Sequence, residues 1–334
     1  MKILFISGLN EKEGTLNEFM HDIVLHGLRE LYGDNVIDYP GVWYMYRDEV
    51  KKRNYDINNL WGKGFTLYNL LSNYHQIDRT DIERKIKKNY FDFIIFGSIH
   101  LTRLFFSEAI NSKSKIVFID GNDNPFIDEK IIDRGVYFKR ELISKKIENV
   151  YSINFAIPKE KIISTINTSP LNVLAPLIPG KNSAYKYENE KDYYLKYQES
   201  IFALTYKKLG WDSLRHYEIL MNGCIPLFLD IDKCPEKILT NFPKKILFDV
   251  FKQYSWILNH FFPTSIYKKK FLTFENFFLY FCNFFKKKHT GTSFINSYPE
   301  IIDIKRQLVS YTKKNLTTEH VARKIISDTN KLCI

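Results

Sequence analysis

The sequence predicts an α/β protein of two halves, each built on a parallel β-sheet. Three observations carry this. At 334 residues the chain is longer than one hydrophobic core requires, and chains of this length divide into about two domains. Its short apolar runs are continuous rather than alternating, as in strands buried on both faces. Each run ends in small or polar residues, and apolar residues at three- and four-residue steps, the period of a helix, lie between the runs.

Taken in order, KILFIS (Lys2 to Ser7) reads as a buried strand ending at Gly8. Leu16, Phe19, Met20, Ile23, Val24 and Leu28 then predict an amphipathic helix over 16–31, giving the first βα unit. A basic helix over 81–88 precedes the strand Phe91 to Gly97, and the strand Lys115 to Ile119 ends at Asp120-Gly121-Asn122-Asp123. Val136 to Phe138 is a further strand leading into Lys139-Arg140-Glu141, and this half ends near Pro158 to Ser164. Ligands of open parallel sheets lie beyond the carboxyl ends of the strands, so Ser7 to Asn10, Gly97 to His100 and Asp120 to Asp123 are expected to converge on one crevice.

The second half opens with the strand 171–178 and a tyrosine-rich helix over 185–197. Next come a buried strand, Ile201 to Tyr206, a loop, Lys207 to Gly210, a helix over 211–222 and a strand, Ile225 to Leu229. Asp212 suits the helix N-cap and Gly223 the position after its C-terminus, where positive φ is needed. A helix over 235–241, a strand over 245–249 and helices over 300–313 and 318–331 complete the layout.

Composition excludes several classes. With 45% apolar, 16% aromatic and 26% charged residues, 14 Gly and 11 Pro, the chain is not disordered, collagen-like or of low complexity. Cys224, Cys234, Cys282 and Cys333 form no CxxC pair, which supports neither a disulfide framework nor a zinc ribbon. The apolar run before Gly8 is too short for the apolar region of a signal peptide, and a cytoplasmic protein is expected. A formal charge of +11 implies an anionic partner, yet no RNP pattern, GXXG loop or helix-turn-helix punctuation places base-reading side chains, so nucleic acid is not expected. Lys268, Lys269 and Lys270 precede the aromatic block Phe271 to Phe285, and Lys286, Lys287 and Lys288 follow it. The block is shorter than the ~20 residues of a spanning helix. Two readings stay open for 268–288: a buried aromatic helix, or an interfacial helix whose lysines meet anionic lipid at the inner membrane face.

The loop Lys207 to Gly210 lies between a strand end and a helix N-terminus, where free amides and the helix dipole favour an anion. Lys207 and Lys208 can neutralise a diphosphate, and Gly210 allows close backbone approach; the plainer reading makes both lysines solvated loop residues. Arg215 and Glu218 are three apart on one helix face with Asp212 a turn earlier, where a carboxylate can accept two ribose hydroxyls. The plainer reading there is a surface ion pair, and for Trp211, His216 and Tyr217 it is packing. Asp120, Asp123 and His100 are the candidates for a general base. The plainer reading makes Asp120 and Asp123 ordinary turn formers and His100 a capping or core histidine.

The segment SIFALTYKKLGWDSLRHYEILMNGCIPLFLDI, Ser200 to Ile231, resembles the donor-binding region of GT-B glycosyltransferases, particularly the exostosin-like and related bacterial and giant-virus enzymes. YTKKNLTTEHVARKII, Tyr311 to Ile326, is similar to their closing helix, and YFKREL, Tyr137 to Leu142, to a segment of their N-terminal halves. The resemblance implies two Rossmann-like domains facing across a cleft: an acceptor-side domain over 1–165, a nucleotide-sugar domain over 166–310 and a closing helix over 311–334. It also implies transfer of a sugar from a nucleoside diphosphate to a hydroxyl acceptor in surface-glycan or glycoprotein assembly. Glu218 falls where the family's acid binds ribose, and Lys207, Lys208, Gly210, Trp211, Asp212 and Arg215 in the donor region. Retaining members often carry two glutamates separated by seven residues; eight positions before Glu218 stands Gly210 rather than an acid, so inversion is favoured. No metal or other cofactor is implied, since Asp230-Ile231-Asp232 ends a strand rather than occupying a metal-binding loop. A noncatalytic nucleotide- or phosphoglycan-binding protein on the same scaffold is the alternative.

Overall fold

The computed structural model describes residues 1–8, 18–56, 59–143, 147–177, 179, 187–261 and 290–332. Six strands form one wholly parallel sheet: β1 (Ile3–Ile6), β2 (Val36–Tyr39), β3 (Phe93–Phe96), β4 (Lys115–Asp120), β5 (Val136–Lys139) and β6 (Val150–Ser152). Their order is β2-β1-β3-β4-β5-β6, with Ile3 opposite both Val36 and Phe93. All four residues of β1 and of β3 are buried, because parallel strands need helical crossovers that cover both faces. A second parallel sheet holds β7 (Asn172–Leu174), β8 (Ser200–Thr205) and β9 (Ile225–Phe228) in that order. The chain is therefore mixed α/β with two parallel sheets, compatible with Rossmann-like folds.

Helix α1 (Phe19–Tyr32) buries Met20, Ile23, Val24 and Leu28, the stripe its spacing predicts. Three short helices follow in this half: α2 (Arg47–Arg53), α3 (Ile82–Lys87) and α4 (Phe106–Ile110). In the second half α5 (Glu190–Gln198) precedes β8, and α6 (Leu214–Met221) joins β8 to β9. After β9 come α7 (Lys244–Phe261), α8 (Gly291–Ser297), α9 (Glu300–Asn315) and α10 (Thr318–Leu332). Residue 311 lies inside α9. The last helix returns to the first half and packs on α1, where His26 Nδ1 lies 2.8 Å from Thr318 Oγ1. That approach requires Gly27, since a Cβ there would stand 2.0 Å from the Thr318 carbonyl oxygen. Beside it, the Ile157 N–H donates to the Leu316 carbonyl and the Thr318 N–H to the Ile157 carbonyl, both at 3.0 Å.

Four expectations are corrected. The run 245–249 is not a strand but part of α7, whose Leu247, Val250, Tyr254 and Ile257 are buried at helical spacing. Residues 235–241 are turns rather than a helix: Leu239 has φ +53, and the Lys244 ammonium donates to the carbonyls of Pro235, Glu236 and Ile238. Asp212 is not the N-cap of α6; Ser213 holds that position without a side-chain cap. Strands β2 and β6 have no counterpart in the sequence reading. Gly223, with φ +66, does take the left-handed position after α6. Leu9, Asn10 and the segment 268–288 lie outside the described residues. Among the described residues no helix is long and apolar enough to cross a membrane.

Candidate active site

The carboxyl ends of β3, β4 and β5 lie side by side, as the register of the sheet demands. Asp120, the last residue of β4, is 6% exposed. Its Oδ2 accepts the Tyr137 hydroxyl at 2.6 Å, while Oδ1 accepts the Asn122 N–H at 3.0 Å and pairs with Lys139 Nζ at 2.9 Å. Both oxygens are thus engaged, and the bond to the Asn122 N–H is the turn that the plainer reading of Asp120 predicts. His100 Nδ1 lies 3.8 Å from Asp120 Oδ1. Burial pulls the His100 imidazole below its ordinary value, and Lys139 adds to this while Asp120 opposes it. His100 is only partly covered, and at 3.8 Å the Asp120 carboxylate acts on its imidazole through charge rather than through a hydrogen bond.

The next two residues of the sequence after Lys139 join the halves. Arg140 is 2% exposed; its Nε donates to the Gly121 carbonyl at 2.8 Å, and its Nη atoms bond the Asp212 carbonyl, Glu141 and Asp123. Glu141, equally buried, accepts the Trp211 N–H at 3.0 Å and the Asp212 N–H at 2.9 Å. Two adjacent residues after β5 therefore grip the turn after β8. Gly210 sits in the grip: a Cβ there would stand 2.6 Å from Glu141 Oε1 and 2.9 Å from Asp123 Oδ1. Any larger residue would push the turn off the strand ends.

Beyond that clamp Lys207, Lys208 and Leu209 are exposed, and Lys207 Nζ stands 5.4 Å from the centre of the Trp211 ring. His216 is buried, and burial drops its pKa to about 3. Its Nε2–H donates to the Trp211 carbonyl at 3.0 Å, so Nδ1 accepts the Thr205 hydroxyl at 2.8 Å. The histidine braces the turn from inside, as its packing reading predicts.

Asp212 is buried, and its Oδ2 accepts the Phe155 N–H at 2.7 Å. Burial pushes its carboxyl up to about 7, against the pull of Arg140 and with a push from Glu141. A carboxyl raised from 3.8 in this way favours the folded state most when protonated, and that contribution is lost as pH climbs towards 7. Asp212→Asn is expected to remove this slope. Its unfolding free energy should gain on the native chain between about pH 4 and about pH 7, as urea titrations at several pH values will show; parallel curves would contradict the burial argument.

Arg215 and Glu218 are buried on α6 rather than paired at the surface. Glu218 Oε1 accepts the Thr66 hydroxyl at 2.7 Å and Oε2 the Tyr193 hydroxyl at 2.8 Å, and burial raises its pKa. Thr66 has φ +76, rare for a β-branched residue, and its N–H donates to Glu190 Oε1 at 2.5 Å. This is a second tie between the halves. The candidate residues thus fall into three groups: His100, Asp120 and Asp123 at the first sheet; Gly210, Trp211 and Asp212 clamped against it, with Lys207 and Lys208 exposed beyond the clamp; and Arg215 and Glu218 buried on α6.

No protein-family model and no curated protein matches this chain. The geometry alone therefore carries the functional reading. Arg140 and Glu141 were visible as charges directly after a buried strand, the same signal that singles out Asp120 and Asp123. Thr66 and Tyr193 had no local signal, because they matter through contacts with Glu218, which lies 152 and 25 positions away from them.

Proposed function

We propose that this protein transfers a sugar from a nucleoside diphosphate to a hydroxyl acceptor, on a GT-B plan of two Rossmann-like domains. One observation carries the reading: Arg140 and Glu141 hold the turn Lys207 to Asp212 against the carboxyl ends of β4 and β5. A diphosphate lying on that turn meets the Lys207 and Lys208 ammonium groups, which offset the charge developing as the leaving group departs. No metal is called for in this scheme. His100 takes the proton of the acceptor hydroxyl as that oxygen attacks the anomeric carbon, and Asp120 stabilises the imidazolium formed. Attack opposite the leaving group inverts the configuration. The ribose hydroxyls are not assigned to Glu218, whose two oxygens are taken by the Thr66 and Tyr193 hydroxyls inside the fold. The acceptor is a glycan, glycolipid or glycoprotein on the cytoplasmic side, where lysines of 268–288 can touch anionic lipid.

A thermal-shift screen of nucleoside-diphosphate sugars tests this. A donor at one hundred times its dissociation constant should stabilise the chain by about 2.7 kcal/mol. Replacing Lys207 and Lys208 by alanine should weaken it about tenfold per lysine, the loss of one charge-assisted contact each. No stabilisation by any donor would refute the reading. Binding without release of nucleoside diphosphate would make the chain a noncatalytic nucleotide- or phosphoglycan-binding protein.

A further inference from the structure

The strand order reverses at β1. The chain runs from β1 outward to β2 and then returns past β1 to β3, so the carboxyl ends of β1 and β3 border the reversal. Crevices at such points are where open parallel sheets bind their ligands. The start of α1 lies over this one and brings two buried polar atoms with no hydrogen-bond partner among the described residues, Glu18 Oε1 and His21 Nε2. Buried polar atoms are nearly always paired, so two together point to a ligand that supplies the missing partners.

Their placement is set by two glycines. Glu18 Oε1 lies against Gly121, where a Cβ would come within 1.9 Å of it, and Glu18 Oε2 accepts the Ser98 hydroxyl. The His21 ring edge lies against Gly97, with Cδ2 2.7 Å from where a Cβ would stand. Both atoms therefore sit at the ends of β3 and β4. His21 is 3% exposed, and its Nδ1 is 2.9 Å from Asp22 Oδ1, which also accepts the Tyr44 hydroxyl at 2.7 Å. A carboxylate only accepts, so Nδ1 carries the proton and Nε2 is left as an acceptor.

We propose that Glu18 and His21 form the subsite for the acceptor, holding neighbouring hydroxyls of a neutral carbohydrate at the reversal between β1 and β3. The proposal rests on the glycosyl-transfer reading and names where its second substrate binds. An acceptor atom on each of these two residues matches a hydroxyl hydrogen, and the carboxyl groups of Glu18 and Asp22 disfavour a phosphate. The charges divide the crevice: lysines of the β8 turn face the diphosphate, carboxyl groups of α1 face the sugar. Burial pushes the Glu18 carboxyl up to about 7, so near neutrality it accepts from a hydroxyl or donates to one.

Saturation-transfer NMR on the full chain with methyl glycosides of glucose, galactose, mannose and N-acetylglucosamine tests this. At least one glycoside should bind the native chain, Glu18→Leu should weaken it tenfold or more, and Glu18→Gln, which keeps an oxygen, should restore part of the loss. Stabilisation by nucleoside-diphosphate sugars should be the same in all three. Glycoside binding unchanged in Glu18→Leu and in His21→Leu, with nucleotide stabilisation intact, overturns the proposal. So does a native chain that binds nucleotide sugars and none of the glycosides. A native chain that binds no nucleotide sugar overturns the glycosyl-transfer reading and this subsite with it.

Discussion

Replacing Arg140 by alanine is expected to destabilise the protein by about 3–5 kcal/mol, the cost of removing one partner from a buried ionic network. The guanidinium is 2% exposed and serves four groups at once: the Gly121 and Asp212 carbonyls, Glu141 and Asp123. Its loss strands the Glu141 carboxylate, itself 3% exposed, with only two backbone amides for company. It also frees the turn that carries the two lysines. Asp123→Ala offers the contrast, because that carboxylate is 47% exposed and its pairing is screened by water; a loss of about 1 kcal/mol or less is expected. Urea unfolding of both variants decides the matter. Equal losses would mean that burial, not the ion pair, sets the energetics of this junction.

The second large effect concerns His100. His100→Ala should lower sugar transfer by about 10²–10⁴-fold, the usual contribution of a positioned general base, while donor affinity stays within about twofold. The pH dependence follows from the direction of its shift. A base acts only when neutral, so activity is present above its pKa and lost as pH falls through it. Burial lowers the His100 pKa, so the acid limb of kcat/KM should lie below 6.5, the ordinary value for histidine. An alanine variant that keeps more than a tenth of the native rate would place the base elsewhere in the crevice.

The strands with continuous apolar runs were legible from the sequence because burial on both faces leaves no polar position to blur them: ILFI, FIIF and KIVFID are cases. The strand VIDY at 36–39 was not, because Asp38 interrupts it. In the folded chain that aspartate is fully buried and accepts from the Val42 N–H, the Tyr46 hydroxyl and Arg79, the last of them 41 positions away and outside any local window. The run 245–249 misled for the opposite reason. Five residues of KILFD suit a strand, and only the continuation to Tyr254 and Ile257 reveals the longer period. The turn Lys207 to Gly210 stood out in the sequence because its glycine and lysines adjoin. The residues that hold it, Arg140 and Glu141, stand seventy positions away from Trp211 and Asp212.

The pairing of Ile157 with Leu316 and Thr318 has a mechanical consequence. The polypeptide passes from the six-stranded sheet to the three-stranded one near Ile157 and comes back near Thr317, and these two passages are stitched together by a pair of hydrogen bonds at 3.0 Å. Any swing of one sheet against the other at the lysine turn would first have to break the hold of Arg140 and Glu141 on Trp211 and Asp212, so the two passages and the clamp together fasten the sheets at two places of the junction.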